Sequence, residues 1–321
     1  MGLTQSISGP IAPSQITFRD STVQVTAPPD APAFKNRLIN GAMNIWQRGT
    51  SGFTTANNYC SDRWFTPAAG LTTVAQSVDV PAGYKYSLSV AGTSYAQIAQ
   101  RIESFNCLDL VGQSVTLSFW AKQTTGAGTN SITIYYNTPT AVDNWTTQNT
   151  AVSATLNGSS SWTFYSYTFT SLPAAVANGI VIGIALGNGS NAFLVTGVQL
   201  EKGLTATAFD YRPYGTELQL CQRYARPVGW FTGQAVSATQ SYCFCFGVPM
   251  RATPTLSTAT GFTLNNASGF SLTVTSASVA GSIGGDGSIA LGMGVASGLV
   301  AGNATYSYTL NSSNPLLVAE L

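Results

Sequence analysis

The sequence predicts an all-β fold in two domains. Apolar residues recur at every second position in many short runs, Gly and Asn clusters separate those runs, and helical spacing marks a single stretch. The chain's 321 residues suffice for two hydrophobic cores.

Residues 1–35 are rich in Pro, Ser and Thr, with Gly9-Pro10, Ala12-Pro13, Pro28-Pro29 and Ala31-Pro32. Between them, 16–25 has the composition of one or two short strands. Such a segment cannot build a core alone. It reads as an extended arm or docking tail held by a neighbour.

Residues 36–213 read as a jelly-roll β-sandwich. Val115, Leu117 and Phe119 alternate with Thr116, Ser118 and Trp120. Ile132, Ile134 and Tyr136 share a face, as do Ile180, Ile182, Ile184 and Leu186, and aromatic residues fall on both faces of 162–170. The stretch 193–201 closes the set. Earlier, Asn40-Gly41 signals a turn, because both residues tolerate positive φ. Met43, Ile45 and Gln47 then alternate as a first strand would, and Asp62-Arg63-Trp64 opens another.

Residues 214–227 form a short linking helix. Thr216 is placed to cap it with Gln219 at capping-box spacing, Leu218, Cys221 and Ala225 share a stripe, and Pro227 stops the run. Residues 228–321 are β again, a second sandwich-like domain with runs at 241–250, 270–276 and 305–310. The Gly-rich tract 281–294 lacks the Gly-Lys-Ser/Thr of a phosphate loop and reads as turns and tight packing.

Composition excludes several functions. Charged residues are 8% of the chain, against roughly 25% in ordinary domains. The net charge is +1 and no basic run exists, which argues against nucleic-acid binding. There is no His, so His-based catalysis and His metal sites are absent. Cys60, Cys107, Cys221, Cys243 and Cys245 lack zinc-site spacing and read as buried free thiols, with one disulfide as the alternative. No cofactor or metal is expected. The start of the sequence lacks a signal peptide's basic and apolar regions, and 180–187 is too short and Gly-broken to span a membrane. A surface built from Ser, Thr, Asn and Gln suits extracellular β-structure and close subunit packing. A virus particle, assembled in the cell and released by lysis, reconciles the two.

Three stretches carry a resemblance: 37-RLINGAMNIWQRG-49 with 59-YCSDRW-64, then 198-VQLEKGLTATAFDYRPYGTELQLCQRYAR-226, then 247-GVPMRATPTL-256. Together they resemble a family of bacteriophage virion proteins, tail-fibre and receptor-contact proteins with a carbohydrate-binding-module-like jelly roll. The resemblance covers the domain boundaries, not their interiors. It implies a virion component, often homotrimeric, contacting host surface glycans without enzymatic activity. Its partners would be its own copies, other virion proteins through residues 1–35, and a host glycan.

The Arg-Trp clusters are read as structural. Arg48 or Arg63 would pair with Asp62, with Trp46 or Trp64 beneath a guanidinium. Arg212, with Glu201 and Asp210, would do likewise at the domain end, with Phe209, Tyr211 and Tyr214 sealing the sandwich base. Glycan candidates are residues that turn aromatic rings or amides away from the core: Trp120, Tyr135 and Asn137 on strands, and Asp143 and Trp145 in a polar loop. The rival readings are a structural head-fibre, cement or baseplate protein, and a glycan depolymerase, which would need paired carboxylates.

Overall fold

The computed structural model describes residues 16–17, 23–24, 34–67, 71–93, 96–125, 131–186, 191–259, 261–266, 269–283, 287–309 and 315–321. The chain divides into two units, Met1–Lys35 and Asn36–Leu321. In the first, β1 (Ile16–Thr17) and β2 (Val23–Gln24) pair antiparallel, with Ile16 opposite Gln24. The Pro-rich stretches of this unit lie outside the described residues.

The second unit begins with a β-sandwich. Its strands are β3 (Leu71–Ser77), β4 (Ser87–Gly92), β5 (Ala96–Ile102), β6 (Val115–Thr125), β7 (Ser131–Asn137), β8 (Pro139–Ala141), β9 (Asn144–Gln148), β10 (Val152–Asn157), β11 (Thr163–Phe169), β12 (Ile180–Leu186) and β13 (Asn191–Lys202). One sheet has the order β10-β7-β12-β5 and the other β11-β6-β13-β4-β3, while β8 and β9 form a small hairpin. From β4 to β7, and again from β10 to β13, successive strands alternate between the sheets, the winding of a jelly roll. Period-two burial explains the pairing. Val115, Leu117 and Phe119 of one sheet and Ile134, Ile182 and Ile184 of the other meet in a single core.

The helix α1 (Tyr214–Gln222) follows and is the one α-helix among the described residues. It begins behind Pro213, whose fixed φ leads into it, and no side chain caps it. The Thr216 cap is thus corrected: Thr216 lies inside the helix. The helix also ends at Gln222, before Pro227, because the chain has by then entered β14 (Ala225–Pro227).

The remaining strands are β15 (Phe231–Ala235), β16 (Gln240–Cys245), β17 (Thr255–Leu256), β18 (Phe262–Asn266), β19 (Ser271–Ile283), β20 (Ser288–Val295), β21 (Ala304–Thr309) and β22 (Leu316–Val318). The second domain is all-β, and its sheet closes on itself as a barrel of order β15-β16-β20-β19-β18-β21. Its core holds Phe231, Cys243, Phe262, Leu264, Leu291 and Met293. Closure leaves no open edge among these strands. In the Gly-rich tract, Gly287 and Gly292 are described, and 284–286 lie outside the described residues. Strand β22 runs between β14 and β17, so the chain's last residues return to where it leaves the sandwich.

Two short stretches differ from the sequence reading. Residues 39–48 and 61–64 form turns rather than strands. Asn40, Met43 and Arg63 take positive φ values of 57°, 55° and 71°. Alternation at Met43 and Ile45 arises from burial of a coiled segment, not from a pleat.

Candidate functional site

Asn40 is the hub of the two Arg-Trp clusters. Its side-chain amide donates to the Ile45 carbonyl (2.9 Å), Ser61 Oγ (2.9 Å) and the Asp62 carbonyl (3.1 Å). Its Oδ1 accepts from the Asn44 and Ile45 backbone N–H groups. Trp64, fully buried, donates Nε1 to the Asn40 carbonyl at 3.1 Å, and Trp46 donates to the Met43 carbonyl at 2.7 Å. A buried amide satisfied this completely fixes one loop geometry.

The Arg residues reach further than their neighbours. Arg48 pairs with Asp62 at 2.9 Å and with Glu320 at 2.8 Å. Arg63 pairs with Glu320 rather than Asp62, and donates to the Arg101 carbonyl at 2.7 Å. The rings beneath the guanidinium groups are tyrosines, which corrects the expected tryptophans. Arg48 lies over Tyr59 at 5.4 Å and Arg63 over Tyr224 at 3.4 Å. Burial pushes the Asp62 carboxyl up to about 6, against the pull of Arg48. Arg223 pairs with Glu103 at 2.8 Å, and Arg251 donates to the Ala319 carbonyl. This network locks sandwich, helix and chain end together. It is a clasp of buried ion pairs.

Arg212 bonds the carbonyls of Asn36 and Leu38 and pairs with Glu217 at 3.0 Å. Asp210 accepts from the Asn36 N–H, and Glu201 is bonded by Thr207 and Gln199. Phe209 packs on Tyr84, but Tyr211 and Tyr214 are exposed rather than sealing the base.

The glycan candidates fall on two different faces. Four belong to the outer side of the β10-β7-β12-β5 sheet or its margin. Tyr135 lies flat over Gly183, where any Cβ would run into its ring, and accepts a hydrogen bond from Gln97. Asn137 stands opposite Val181. Asp143 accepts from the Ser104 N–H (2.8 Å) and Oγ (3.0 Å). Trp145, expected in a loop, is in β9 and buried with Phe65, Ala99 and Val181, under the Arg101 guanidinium. Little of its ring remains for a ligand.

Trp120 lies on the outer face of the other sheet, and there a cleft exists. It has a volume of about 380 Å³ and is lined by Tyr84, Ser118, Trp120, Phe164, Gly197 and residues 206–209. Trp120 and Phe164 are cross-strand partners, their ring centroids 5.5 Å apart. The opposite wall is the segment 206–209. It is held on the sheet by the Thr207 bonds to Glu201 and by Asp210 N–H donating to Gln199. Tyr84 closes one end, above Gly197.

The end wall depends on a bulge. Pairing of β13 with β6 breaks between Thr196 and Gln199, and its pairing with β4 ends at Val195. Beyond that point the freed edge is taken by the Asn36–Gly41 segment: Arg37 N–H donates to the Leu200 carbonyl and Val198 N–H to the Gly41 carbonyl. Gly41 sits so close to the Val198 carbonyl that a Cβ would overlap it. Gly197, at φ 62°, leaves room for the Tyr84 phenol. The Asn36–Gly41 segment therefore occupies the sheet edge next to the Gly197 bulge. The sequence reading missed Phe164, although the two-faced aromatic pattern of 162–170 was its signal.

No metal-binding cluster of His, Cys, Asp or Glu exists among the described residues, and no described helix is long and apolar enough to cross a membrane.

The fold and cleft define a class: a jelly-roll sandwich with an aromatic-lined cleft on one sheet, joined to a closed β-barrel. No protein-family model matches the sequence, and no curated protein matches it. Among solved structures, the chain is similar to a protein of Bacteroides thetaiotaomicron provisionally described as sugar binding, with TM-score 0.38, 17% identity, 52% of this chain covered and 100% of that one. It is similar to the family 11 carbohydrate-binding module of Clostridium thermocellum, with TM-score 0.32, 15% identity and 49% and 97% covered. It is also similar to the enzymatically active domain of tailspike protein 4 of bacteriophage CBA120, with TM-score 0.37 and 17% identity, covering 54% of this chain but 22% of that one.

Proposed function

We propose that this chain is a non-enzymatic glycan-binding protein of a bacteriophage virion, of tail-fibre type, that contacts sugars on the host surface. The observation that carries the glycan reading is the Trp120–Phe164 cleft. A pyranose needs an aromatic surface for its C–H face and hydroxyl or amide groups for its edge. Trp120 and Phe164 supply the surface, and the exposed Thr207 supplies a hydroxyl for the edge. None of the described residues lining the cleft is acidic, whereas glycoside hydrolysis uses a carboxylate pair. Binding without cleavage is therefore the reading.

The virion assignment rests on the resemblance of the 37–49, 59–64, 198–226 and 247–256 stretches. On this reading the protein is a homotrimer, residues 1–35 dock it to other virion proteins, and several weak sites act together. Its low charge suits burial of surface between copies.

The test is glycan-array binding of the full chain and of Trp120→Ala and Phe164→Ala. Each variant should lose about tenfold in affinity, roughly 1.4 kcal/mol, with unchanged melting. Unaltered binding would overturn the cleft assignment, and shortened polysaccharide after incubation would overturn the non-enzymatic one. Electron microscopy of the particle should find the protein projecting; burial between capsid subunits would exclude a receptor role.

A further inference from the structure

The barrel carries an aromatic face that the sandwich cleft does not explain. Strand β15 lies between β16 and β21. On its outer side it presents Thr232 and Gln234, both exposed. Thr232 stands opposite Phe244 on one flank and Tyr306 on the other, and Gln234 stands opposite Tyr242. One bank of this trough is Tyr242 and Phe244. The other is Tyr306 and Tyr308, extended by Trp230.

Trp230 lies parallel to Tyr306, at an interplanar angle of 3°, and is stacked on Tyr308 with centroids 5.1 Å apart. It is nonetheless 77% exposed, so its other face is open to solvent. Exposing an indole this fully is unfavourable unless something covers it.

Adjacent strands are about 4.8 Å apart, so the banks stand about 10 Å from each other across β15. That width admits a sugar ring seated between aromatic walls, with the Thr232 and Gln234 side chains at its floor. The six barrel strands contain no Asp, Glu, Lys or Arg. An ionic ligand would find no counter-charge on this face. A protein partner is better met by a continuous apolar surface than by two banks divided by a polar floor. We propose that the trough along β15, walled by Tyr242 and Phe244 on one side and by Trp230, Tyr306 and Tyr308 on the other, is a second binding site, for a neutral oligosaccharide lying along the strand.

The test uses the full-length protein and an array of uncharged hexose and N-acetylhexosamine oligosaccharides, followed by titration with the strongest binder. Parent, Trp120→Ala, Trp230→Ala and Trp120→Ala/Trp230→Ala proteins are compared, with mass by light scattering. The expected result is weakened but measurable binding in Trp120→Ala, a further fall of at least tenfold on adding Trp230→Ala, and no change between 50 and 500 mM salt. Loss of all binding in Trp120→Ala alone would overturn the barrel site while leaving the sandwich cleft intact. Trp230→Ala protein that keeps all binding but drops in oligomeric mass would overturn it too, and would make this face a contact between copies. Absence of binding to any neutral glycan by the parent would also overturn it.

Discussion

The guanidinium of Arg63 lies over Tyr224, its Cζ 3.4 Å from the ring centroid, while the same group pairs with Glu320. Arg63 belongs to the sandwich, Tyr224 to the segment following the helix and Glu320 to the chain's last residues. One buried side chain thus joins three separate parts of the fold. Glu320 in turn holds both Arg48 and Arg63, and all three are largely withdrawn from water. Removing the carboxylate leaves Arg63 without its counter-charge and Arg48 with Asp62 alone. Glu320→Ala and Arg63→Ala should each cost about 3–5 kcal/mol. In a double-mutant cycle they should cost much less than their sum. Urea unfolding measures both. Arg63→Ala should retain glycan binding below its lowered melting temperature; a variant that melts like the parent but no longer binds would place Arg63 in a ligand site instead.

Asp62 makes the clasp pH-sensitive. Its carboxyl is raised from 3.8 to about 6, chiefly by burial. The folded state therefore holds this proton more tightly than the unfolded one. The resulting stabilisation is complete below about pH 4 and is lost as pH rises through 6. The difference amounts to about 3 kcal/mol. Relative to Asp62→Asn, the parent should gain stability as pH falls from 7 to 4.5. Parallel melting curves across that range, with no change in the difference, would show that Asp62 is ionised at no cost.

Much of the fold was legible because one-sided burial leaves a period-two trace. Val115, Leu117, Phe119, Ile132 and Ile134 stand where that trace put them. The Asn40 turn was legible for a local reason, since few residue types accept its φ. What could not be read was pairing at a distance. Arg63 and Glu320 are 257 positions apart, and nothing near Arg63 in sequence points to that partner. The adjacent Trp64 invited a local stack, yet its indole is committed to Asn40. The cleft was half legible: alternation turns Trp120 outward, but its openness depends on where residues 206–209 cross the sheet. Tyr135 had the same outward signature but is pinned over Gly183, and Trp145, expected in a polar loop, is buried beneath Arg101.

Gly197 sets the end wall of the cleft, against Tyr84. At φ 62° it adopts a conformation that costs an alanine about 1–2 kcal/mol, and a methyl group there would run into the Tyr84 phenol. Gly197→Ala should therefore lower stability modestly and push Tyr84 towards Phe209, narrowing the cleft. Titration with the best array glycan should show weaker binding than the stability loss explains. Trp120→Ala in the same background should then have little further effect, because both act on one site. Full additivity of the two variants would separate Gly197 from the cleft.

The cysteines offer a test of how closed the cores are. All five are free and buried. Burial pushes Cys60 and Cys107 up to about 12 and raises Cys221, Cys243 and Cys245 as well. A thiol both hidden and protonated is a poor nucleophile. At pH 7.5 a maleimide should label none of them within an hour, and should label all five in 6 M guanidinium chloride. Cys221 packs at the clasp, in the field of Asp62, Glu217, Arg63 and Glu320. In Glu320→Ala the clasp loosens before the barrel does. Cys221 and Cys60 should then react first, ahead of Cys243 and Cys245, and mass spectrometry of partly labelled protein would read the order. Simultaneous labelling of all five would instead mean that sandwich, helix and barrel open as one cooperative unit.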